Sequence, residues 1–301
     1  MRINPINTFY KLYKPAFCSR AVMPESPQQT SKDIHTSVSK SYYSDIFTPH
    51  IVPKDLSELD EGQFVDTNGA IFNKHVTTFC RNDLNWSDFG EYLKENYQSP
   101  QDVNFKVFGC STGDEAFSLA LLLNKVYDTT DFNIDASDIS NRIIEANILK
   151  QKVGILINPL EFFHVCTELD IFNNKDKYVY RYCGAYIVRP EISNTVQFRQ
   201  ANILKEIDNI DSQKPSVILC RNMWPYISSD KYSEFADKLY NKLPKGSLVV
   251  IGSYDYIGNF QNKDSNEFPN KLKHSGFIPI NHGTNQYGEN EIKDHFLIFK
   301  K

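Results

Sequence analysis

The sequence predicts an α/β fold in which helices cover a mostly parallel sheet. Two observations predict this class. Beyond residue 104, short apolar runs alternate regularly with amphipathic segments of helical period. In addition, the glycine-bounded segment Gly109–Gly113 separates the first of these runs from an apolar helix, as a strand–turn–helix unit requires. In such a fold, ligands bind at the carboxyl ends of the strands.

The first 44 residues differ in composition from the rest of the chain. Residues 1–24 contain four basic residues and no acidic one, and residues 24–44 are rich in Ser, Thr, Gln and Pro. This composition is typical of a disordered segment or of a docking arm, and both interpretations stay open. No apolar stretch of about 7–15 residues follows the basic residues, so we expect no secretory signal.

Residues 45–100 are expected to form a small helical domain. Within it, the segment Trp86–Leu93 has the helical period, because Phe89, Tyr92 and Leu93 fall on one face. Residues 101–301 are expected to form the main domain, which contains the alternating strands and helices.

The main domain contains the elements of a parallel sheet in order along the chain. The expected strands span residues 105–108, 132–136, 216–220 and 247–251, and the expected helices span residues 114–127, 140–151 and 230–243. Residues 276–280 and 295–299 favour a closing hairpin. Residues 152–200 interrupt the alternation with aromatic and β-branched residues, which indicates a small inserted antiparallel β-subdomain.

The turn after the first strand of the main domain carries the most informative residues. Ser111 or Thr112 is expected to cap the next helix, and Asp114 and Glu115 lie in its first turn. Two carboxylates at this helix N-terminus would repel a phosphate group. The loop is therefore better suited to a ligand with a cationic group, such as the amine and sulfonium of S-adenosylmethionine (SAM).

Three further polar loops follow strands at the same expected edge of the sheet. Asp138 follows the second strand, where a carboxylate can accept hydrogen bonds from the two hydroxyl groups of a ribose. Asp138 is equally consistent with a helix cap or a turn residue. The other two loops are residues 200–204 and 220–226. The coincidence of four polar loops at one edge indicates a ligand site.

Charge and cysteine content exclude several classes of function. The net charge of -4 and the pI of about 6.0 argue against a dedicated nucleic-acid-binding protein. The 6 cysteines are dispersed without paired spacing, which is typical of reduced core thiols in a cytosolic protein. The histidines show no ligand spacing, so we expect no metal site. No apolar run reaches the roughly 18 residues that a membrane-spanning helix needs.

Five short segments carry a set of motifs in a fixed order. They are His75–Arg81, Gly109–Glu115, Ala136–Ser140, Val196–Ile203 and Cys220–Ile227. In this order they resemble the patterns N-x-T-x-F-F-R, G-C-S-T-G-E-E, A-S-D-I-S, V-x-F-x-x-x-N-L and C-R-N-V-x-x-Y-F of the CheR-type family. Members of that family are SAM-dependent methyltransferases that esterify glutamate side chains on chemotaxis receptors. The resemblance covers roughly residues 60–258.

The resemblance implies a class I, Rossmann-like methyltransferase domain that follows a small helical domain and carries the inserted β-subdomain. It also implies SAM as the cofactor and S-adenosylhomocysteine (SAH) as its product. In that family, the Arg of the first motif and the Tyr of the last lie near the transferred methyl group and the acceptor carboxylate. Here these implied catalytic residues are Arg81 and Tyr226. The implied cofactor-binding residues are His75, Thr77, Arg81, Gly109, Asp114, Glu115, Asp138, Asn202, Ile203, Asn222 and Met223.

The chain departs from the family's patterns at several positions. His75 and Cys80 replace an Asn and a Phe of the first motif, Pro225 precedes Tyr226, and the family's G-H-S-E is Gly252–Asp255 here. Three functions therefore stay open: methyl transfer to a protein carboxylate, methyl transfer to another acceptor, and a catalytically silent cofactor-binding module. For the first function, the implied partner is an acidic protein substrate such as a chemoreceptor-like helical bundle. We expect a cytoplasmic protein with no nucleic-acid partner.

Overall fold

The computed structural model describes residues 77–256, 268–283 and 296–301, together with the backbone of residues 63–65 and 71–73. The strands are β1 (Gln63–Val65), β2 (Ile71–Asn73), β3 (Asn104–Phe108), β4 (Ile134–Asp138), β5 (Leu156–Ile157), β6 (Val179–Tyr182), β7 (Ala185–Val188), β8 (Val196–Gln200), β9 (Ser216–Leu219), β10 (Leu248–Val250), β11 (Ile278–Ile280) and β12 (Ile298–Lys300). The helices are α1 (Trp86–Asn96), α2 (Asp114–Tyr127), α3 (Asn141–Val153), α4 (Pro159–Glu168), α5 (Pro190–Ser193), α6 (Ile203–Glu206), α7 (Tyr232–Lys242) and α8 (Phe268–Ser275). The expectations for residues 1–44 and for His75 fall outside the described residues.

A seven-stranded sheet forms the centre of the described structure. Its strand order is β11-β12-β10-β9-β3-β4-β8, and the strands from β10 to β8 run parallel. Only β12 runs antiparallel to its neighbours β10 and β11 in this sheet. The predicted α/β fold with a mostly parallel sheet is therefore confirmed. Because β3 lies between β9 and β4 and all three run parallel, the turns after β3, β4 and β9 meet at one edge.

Helix α2 is buried because its sequence is apolar on nearly every side. All residues from Glu115 to Leu123 are buried. Helix α1 packs against α2, and Asn85 caps α1 by accepting a hydrogen bond from the Asp88 N–H. A Cβ at Gly90 would lie 2.7 Å from Leu122 Cδ1, so a larger residue here would have to displace the Leu122 side chain.

The glycine turn at Gly109–Gly113 and strand β4 each differ in one detail from the expectation based on the sequence. Neither Ser111 nor Thr112 caps α2: the N-cap is Gly113, with a φ of 85° and no side-chain cap. Glycine has no side chain that could accept a capping hydrogen bond, and its left-handed backbone turns the chain directly into the helix. Strand β4 also extends to Asp138 rather than ending at Ala136, so Asp138 closes the strand.

The insertion contains an antiparallel sheet, as its composition predicts, but it is smaller than residues 152–200. Its strand order is β5-β7-β6. Residues Val196–Gln200 pair with β4 in the central sheet and form its edge strand, so the inserted segment ends before them. The insertion also contains the helix α4, which the aromatic and β-branched pattern did not predict.

Candidate active site

The glycine turn after β3 lies against the loop after β9. Gly109 has a φ of 64°, and a Cβ there would lie 3.3 Å from Met223 Sδ. The Cys110 N–H donates to the Ser137 carbonyl at 2.9 Å, which ties the turn to the end of β4. The structure therefore brings together Gly109 and Met223, two of the predicted cofactor-binding residues.

Asp138 joins the glycine turn to the start of α3. Its Oδ2 accepts a hydrogen bond from the Ser111 N–H at 3.0 Å, and its Oδ1 accepts one from the Ser140 N–H at 3.0 Å. Asp138 is thus the turn residue that one interpretation of the sequence required. Each carboxylate oxygen can accept a second hydrogen bond, so this role leaves the ribose assignment possible.

The two acidic residues that begin α2 face different neighbours. Asp114 accepts a hydrogen bond from Thr112 Oγ1 at 3.1 Å and lies 3.4 Å from Lys150 Nζ on α3. Burial raises the pKa of Asp114, and the positive charge of Lys150 opposes this effect. Glu115 instead faces the loop after β9. The structure therefore separates two residues to which the resemblance assigned one role.

A buried ion-pair cluster occupies the space beside Glu115. Arg221 Nη1 lies 3.1 Å from Glu115 Oε2, and Arg221 Nη2 contacts Asp83 Oδ1. The side chain of Arg221 is 0% exposed, so these carboxylates, rather than water, compensate its positive charge. Arg221 Nε is buried without a hydrogen-bond partner in the described residues, a deficit of about 1–3 kcal/mol.

The pKa values of the two carboxyl groups in this cluster shift in opposite net directions, although burial raises both and Arg221 lowers both. Burial raises the pKa of Glu115, although Arg221 opposes the shift. Burial also favours a higher pKa for Asp83, but Arg221 and the Ser253 N–H outweigh it and lower that pKa. The pKa of Arg221 is raised, because both carboxylates outweigh its desolvation. Neither Asp83 nor Arg221 has a role predicted from the sequence; the position of Arg221 in the C-R-N motif is the only signal for it.

The two implied catalytic residues lie within electrostatic range of each other. Burial raises the pKa of Tyr226, and the positive charge of Arg81 partly opposes this increase. The positive charge of Arg81 also favours lower pKa values for Asp83, Asp114 and Glu115. Their catalytic roles stay predictions.

The loop that carries Tyr226 is held by a further buried carboxylate, that of Asp255. Asp255 accepts hydrogen bonds from the backbone N–H groups of Asn222 at 2.8 Å, Trp224 at 3.1 Å and Gly252 at 2.7 Å. Burial raises the pKa of Asp255 to about 7, and these three donors oppose the shift. Asp255 lies in the segment that departs from the family's G-H-S-E pattern, so its role was missed.

Asn222 is fixed by this loop rather than projecting freely from it. Its φ is 58°, its Oδ1 accepts the Tyr254 N–H at 3.0 Å, and its Nδ2 donates to Asp83 Oδ2 at 3.4 Å. A Cβ at Gly252 would collide with the Asn222 amide, so this position requires glycine.

The remaining predicted cofactor residues line the loop after β8 and the start of the described chain. Asn202 caps α6, and its Oδ1 accepts the Leu204 N–H at 3.0 Å. Ile203 is buried in a hydrophobic cluster against which Met223 packs. Thr77 is half-buried. Their contact with a cofactor stays a prediction.

Helix α4 of the insertion holds the loop that leads to Arg81. His164 Nε2 lies 2.8 Å from the Cys80 carbonyl oxygen, and the Glu161 carboxylate accepts a hydrogen bond from the Phe79 N–H. Burial and the nearby charge of Asp114 raise the pKa of Glu161 to about 7. This link between the insertion and the site is not predicted from the sequence, because α4 itself is not predicted.

Two features are absent from the part of the chain that the structure describes. No group of three or more His, Cys, Asp or Glu side chains in the described ranges is arranged to hold a metal ion. In the same part of the chain, no helix has both the length and the apolar character that a membrane crossing requires.

Comparisons with known proteins agree on one family. The family model described as "CheR methyltransferase, SAM binding domain" matches residues 75–272. A chemotaxis protein methyltransferase of Listeria innocua is 22% identical over 208 residues, which cover 68% of this chain and 72% of that protein. A protein of the same name from Borreliella burgdorferi is 21% identical over 177 residues, 56% of this chain and 59% of the relative.

The similarity to solved structures is weaker. Magnesium protoporphyrin IX methyltransferase from Synechocystis PCC 6803, solved with bound SAM, has a TM-score of 0.36 and 11% identity to this chain. The alignment covers 71% of this chain and 76% of that one. A likeness of this size supports no argument about the site.

The raised pKa of Glu161 predicts a pH-dependent stability. A carboxyl group whose pKa is higher in the folded state than its ordinary 4.5 stabilises the fold at low pH and loses that contribution as pH rises through about 7. The free energy of unfolding of the wild type, relative to Glu161→Gln, should therefore fall between about pH 4.5 and 7, by at most about 3 kcal/mol.

Urea unfolding at several pH values measures this difference. Glu145→Gln, which removes an exposed carboxyl from α3, controls for the loss of one negative charge. A wild-type-to-Glu161→Gln difference that stays constant across the window would contradict the assigned environment of Glu161.

Proposed function

Because the chain belongs to the CheR methyltransferase family, we propose that it transfers a methyl group to a protein carboxylate and forms a glutamate methyl ester. The family is a family of methyltransferases whose cofactor is SAM. The observation that carries the choice of acceptor is that the charge of Arg81 acts on both Tyr226 and Glu115, so these three groups lie within electrostatic range. A guanidinium and a phenol can each donate hydrogen bonds to a carboxylate.

The residues around the glycine turn fit SAM by their chemistry. Asp138 has lone pairs left for the ribose hydroxyls, and Glu115 supplies a carboxylate for the amine. Met223 and Ile203 offer apolar surface for the adenine. The remaining predicted contacts are His75, Thr77, Arg81, Gly109, Asp114, Asn202 and Asn222. When bound, SAM supplies an electrophilic methyl group on a sulfonium.

The residues on the acceptor side have a task of alignment. A carboxylate that displaces a thioether needs no base to remove a proton, so positioning supplies most of the catalysis. Arg81 can hold the acceptor carboxylate through two parallel N–H donors. The raised pKa of Tyr226 keeps its phenol protonated at neutral pH, so the hydroxyl can donate a hydrogen bond to the same carboxylate.

The partner follows from the relatives. Relatives in two genera are named chemotaxis protein methyltransferases. We therefore propose a chemoreceptor-like helical bundle with acidic side chains as the substrate, which implies a reaction in the cytoplasm.

The ribose assignment predicts that Asp138→Asn lowers the affinity for SAH. The amide keeps one acceptor oxygen but loses the charge and the second acceptor, so we expect a loss of at least about tenfold in calorimetry. Asp135→Asn is the matched control, because Asp135 lies on the same strand but pairs with Lys106 and Arg199. Equal losses in both variants would show that Asp138 acts only through the fold.

The acceptor class is tested with tritium-labelled SAM and the cytoplasmic domain of a chemoreceptor. We expect label in the protein that base releases as methanol, because an ester is base-labile whereas N-methyl and ether products are not. A receptor domain with its acidic methylation positions changed to Gln should take up no label. Base-stable label, or label only in nucleic acid, would move the proposal to another acceptor.

Arg81→Ala separates the acceptor role from cofactor binding. We expect SAH affinity to change only a few-fold, while the turnover number falls by about 100-fold or more, because the acceptor loses its alignment. Arg81→Lys, which keeps the charge without the two-pronged geometry, should recover only part of the turnover. If SAH binding is abolished in Arg81→Ala, Arg81 belongs to the cofactor site instead.

A further inference from the structure

We propose that Arg221 is a positioning residue that couples occupancy of the cofactor site to the placement of Arg81. The inference rests on the proposed functional roles of Glu115 and Arg81. It goes beyond them because it assigns a role to a residue that is expected to contact neither the cofactor nor the acceptor.

The contacts of Arg221 connect the two halves of the site. Its Nη1 lies 3.1 Å from Glu115 Oε2, on the cofactor side. Its Nη2 donates to the backbone carbonyl of Arg81 at 3.3 Å, on the acceptor side. One planar group therefore touches the carboxylate proposed to meet the amine of the cofactor and the backbone of the residue proposed to hold the acceptor.

Arg221 can transmit a displacement because it is rigidly held. Its side chain is 0% exposed, and its guanidinium lies 5.5 Å from the centre of the Trp86 ring. Trp86 Nε1 donates to the same Arg81 carbonyl at 3.1 Å. The guanidinium is planar with donors in fixed directions, so a shift at Nη1 moves Nη2 with it.

Two carboxylates compete for this one guanidinium. Glu115 is one of them, and Asp83 is the other. Asp83 is anchored from the opposite side by the Ser253 N–H at 2.9 Å and by Asn222 Nδ2 at 3.4 Å. A cationic amine bound at Glu115 partly neutralises the negative charge of that carboxylate, so Glu115 attracts Arg221 less strongly. The balance then favours Asp83, and the guanidinium shifts toward it, together with the Arg81 carbonyl.

The consequence is an order of events at the site. Occupancy of the cofactor site shifts Arg81 toward its acceptor-binding position. The coupling is reciprocal, so an acceptor held by Arg81 strengthens cofactor binding by the same factor.

The test follows the Nε–Hε resonance of Arg81 by nitrogen-15 NMR of the full chain, with the signal assigned from its absence in Arg81→Lys. We expect saturating SAH to shift this signal in the wild type. In Arg221→Lys, which keeps the charge but cannot bridge both sides, we expect the shift to be lost while calorimetry gives an SAH affinity within a few-fold of wild type. A shift that persists in Arg221→Lys, or a wild type without a shift, would overturn the proposal.

A second variant covers the case in which Arg221→Lys does not fold. Asp83→Asn leaves Arg221 in place but removes the competing charge, so the SAH-induced shift of the Arg81 signal should shrink. Asp88→Asn removes a carboxylate from α1 that contacts Gly283 instead, and should leave the shift unchanged. Equal responses in the two aspartate variants would contradict the competition between Asp83 and Glu115.

These measurements use SAH alone and need no acceptor, so they remain decisive if the proposed carboxylate substrate is wrong. A wild type that binds SAH and shows the Arg81 shift, but yields no base-labile label, refutes the acceptor and keeps the coupling. A wild type that binds no SAH overturns both proposals.

Discussion

The burial of one guanidinium is the constraint on which the candidate site depends. Removing a charged group from water costs several kcal/mol unless opposite charges and hydrogen bonds meet it in place. Arg221 has no exposed side-chain surface, so it requires Glu115 and Asp83 in contact. These residues come from the loop after β9, the start of α2 and the loop before α1. Satisfying this one charge therefore fixes how three separate segments meet.

The features that the sequence predicts well are those with local causes. Helix α2 and the parallel order of β3, β4 and β9 follow from hydrophobic periodicity, and Asp138 beside the glycine turn follows from the strand order. The contact of Arg221 with Asp83 joins residues 138 positions apart, and no local pattern encodes it. The divergence of Asp114 from Glu115 is also hidden, because neighbouring residues on a helix point in directions about 100° apart and only packing decides what each meets.

The insertion is part of the site rather than an attachment to it. His164 and Glu161 hold the backbone of Cys80 and Phe79, and from the other side Ser118 Oγ accepts the Cys80 N–H at 2.8 Å. The loop that leads to Arg81 is thereby clamped between the inserted helix and α2. The position of Arg81, the last residue of the first motif, therefore depends on residues of α4 and α2 that lie outside that motif.

The contacts around Arg221 and Asp83 join residues far apart in the sequence, which has a consequence for folding. Ser253 and Asp83 are 170 positions apart, and Arg221 and Glu115 are 106 apart, so each contact closes a long loop and joins distant parts of the chain. A chain that has formed only its early strand–helix units holds the glycine turn without the charges that complete it. Cofactor binding therefore selects the finished fold, and a cell rich in SAM adds to its stability by mass action.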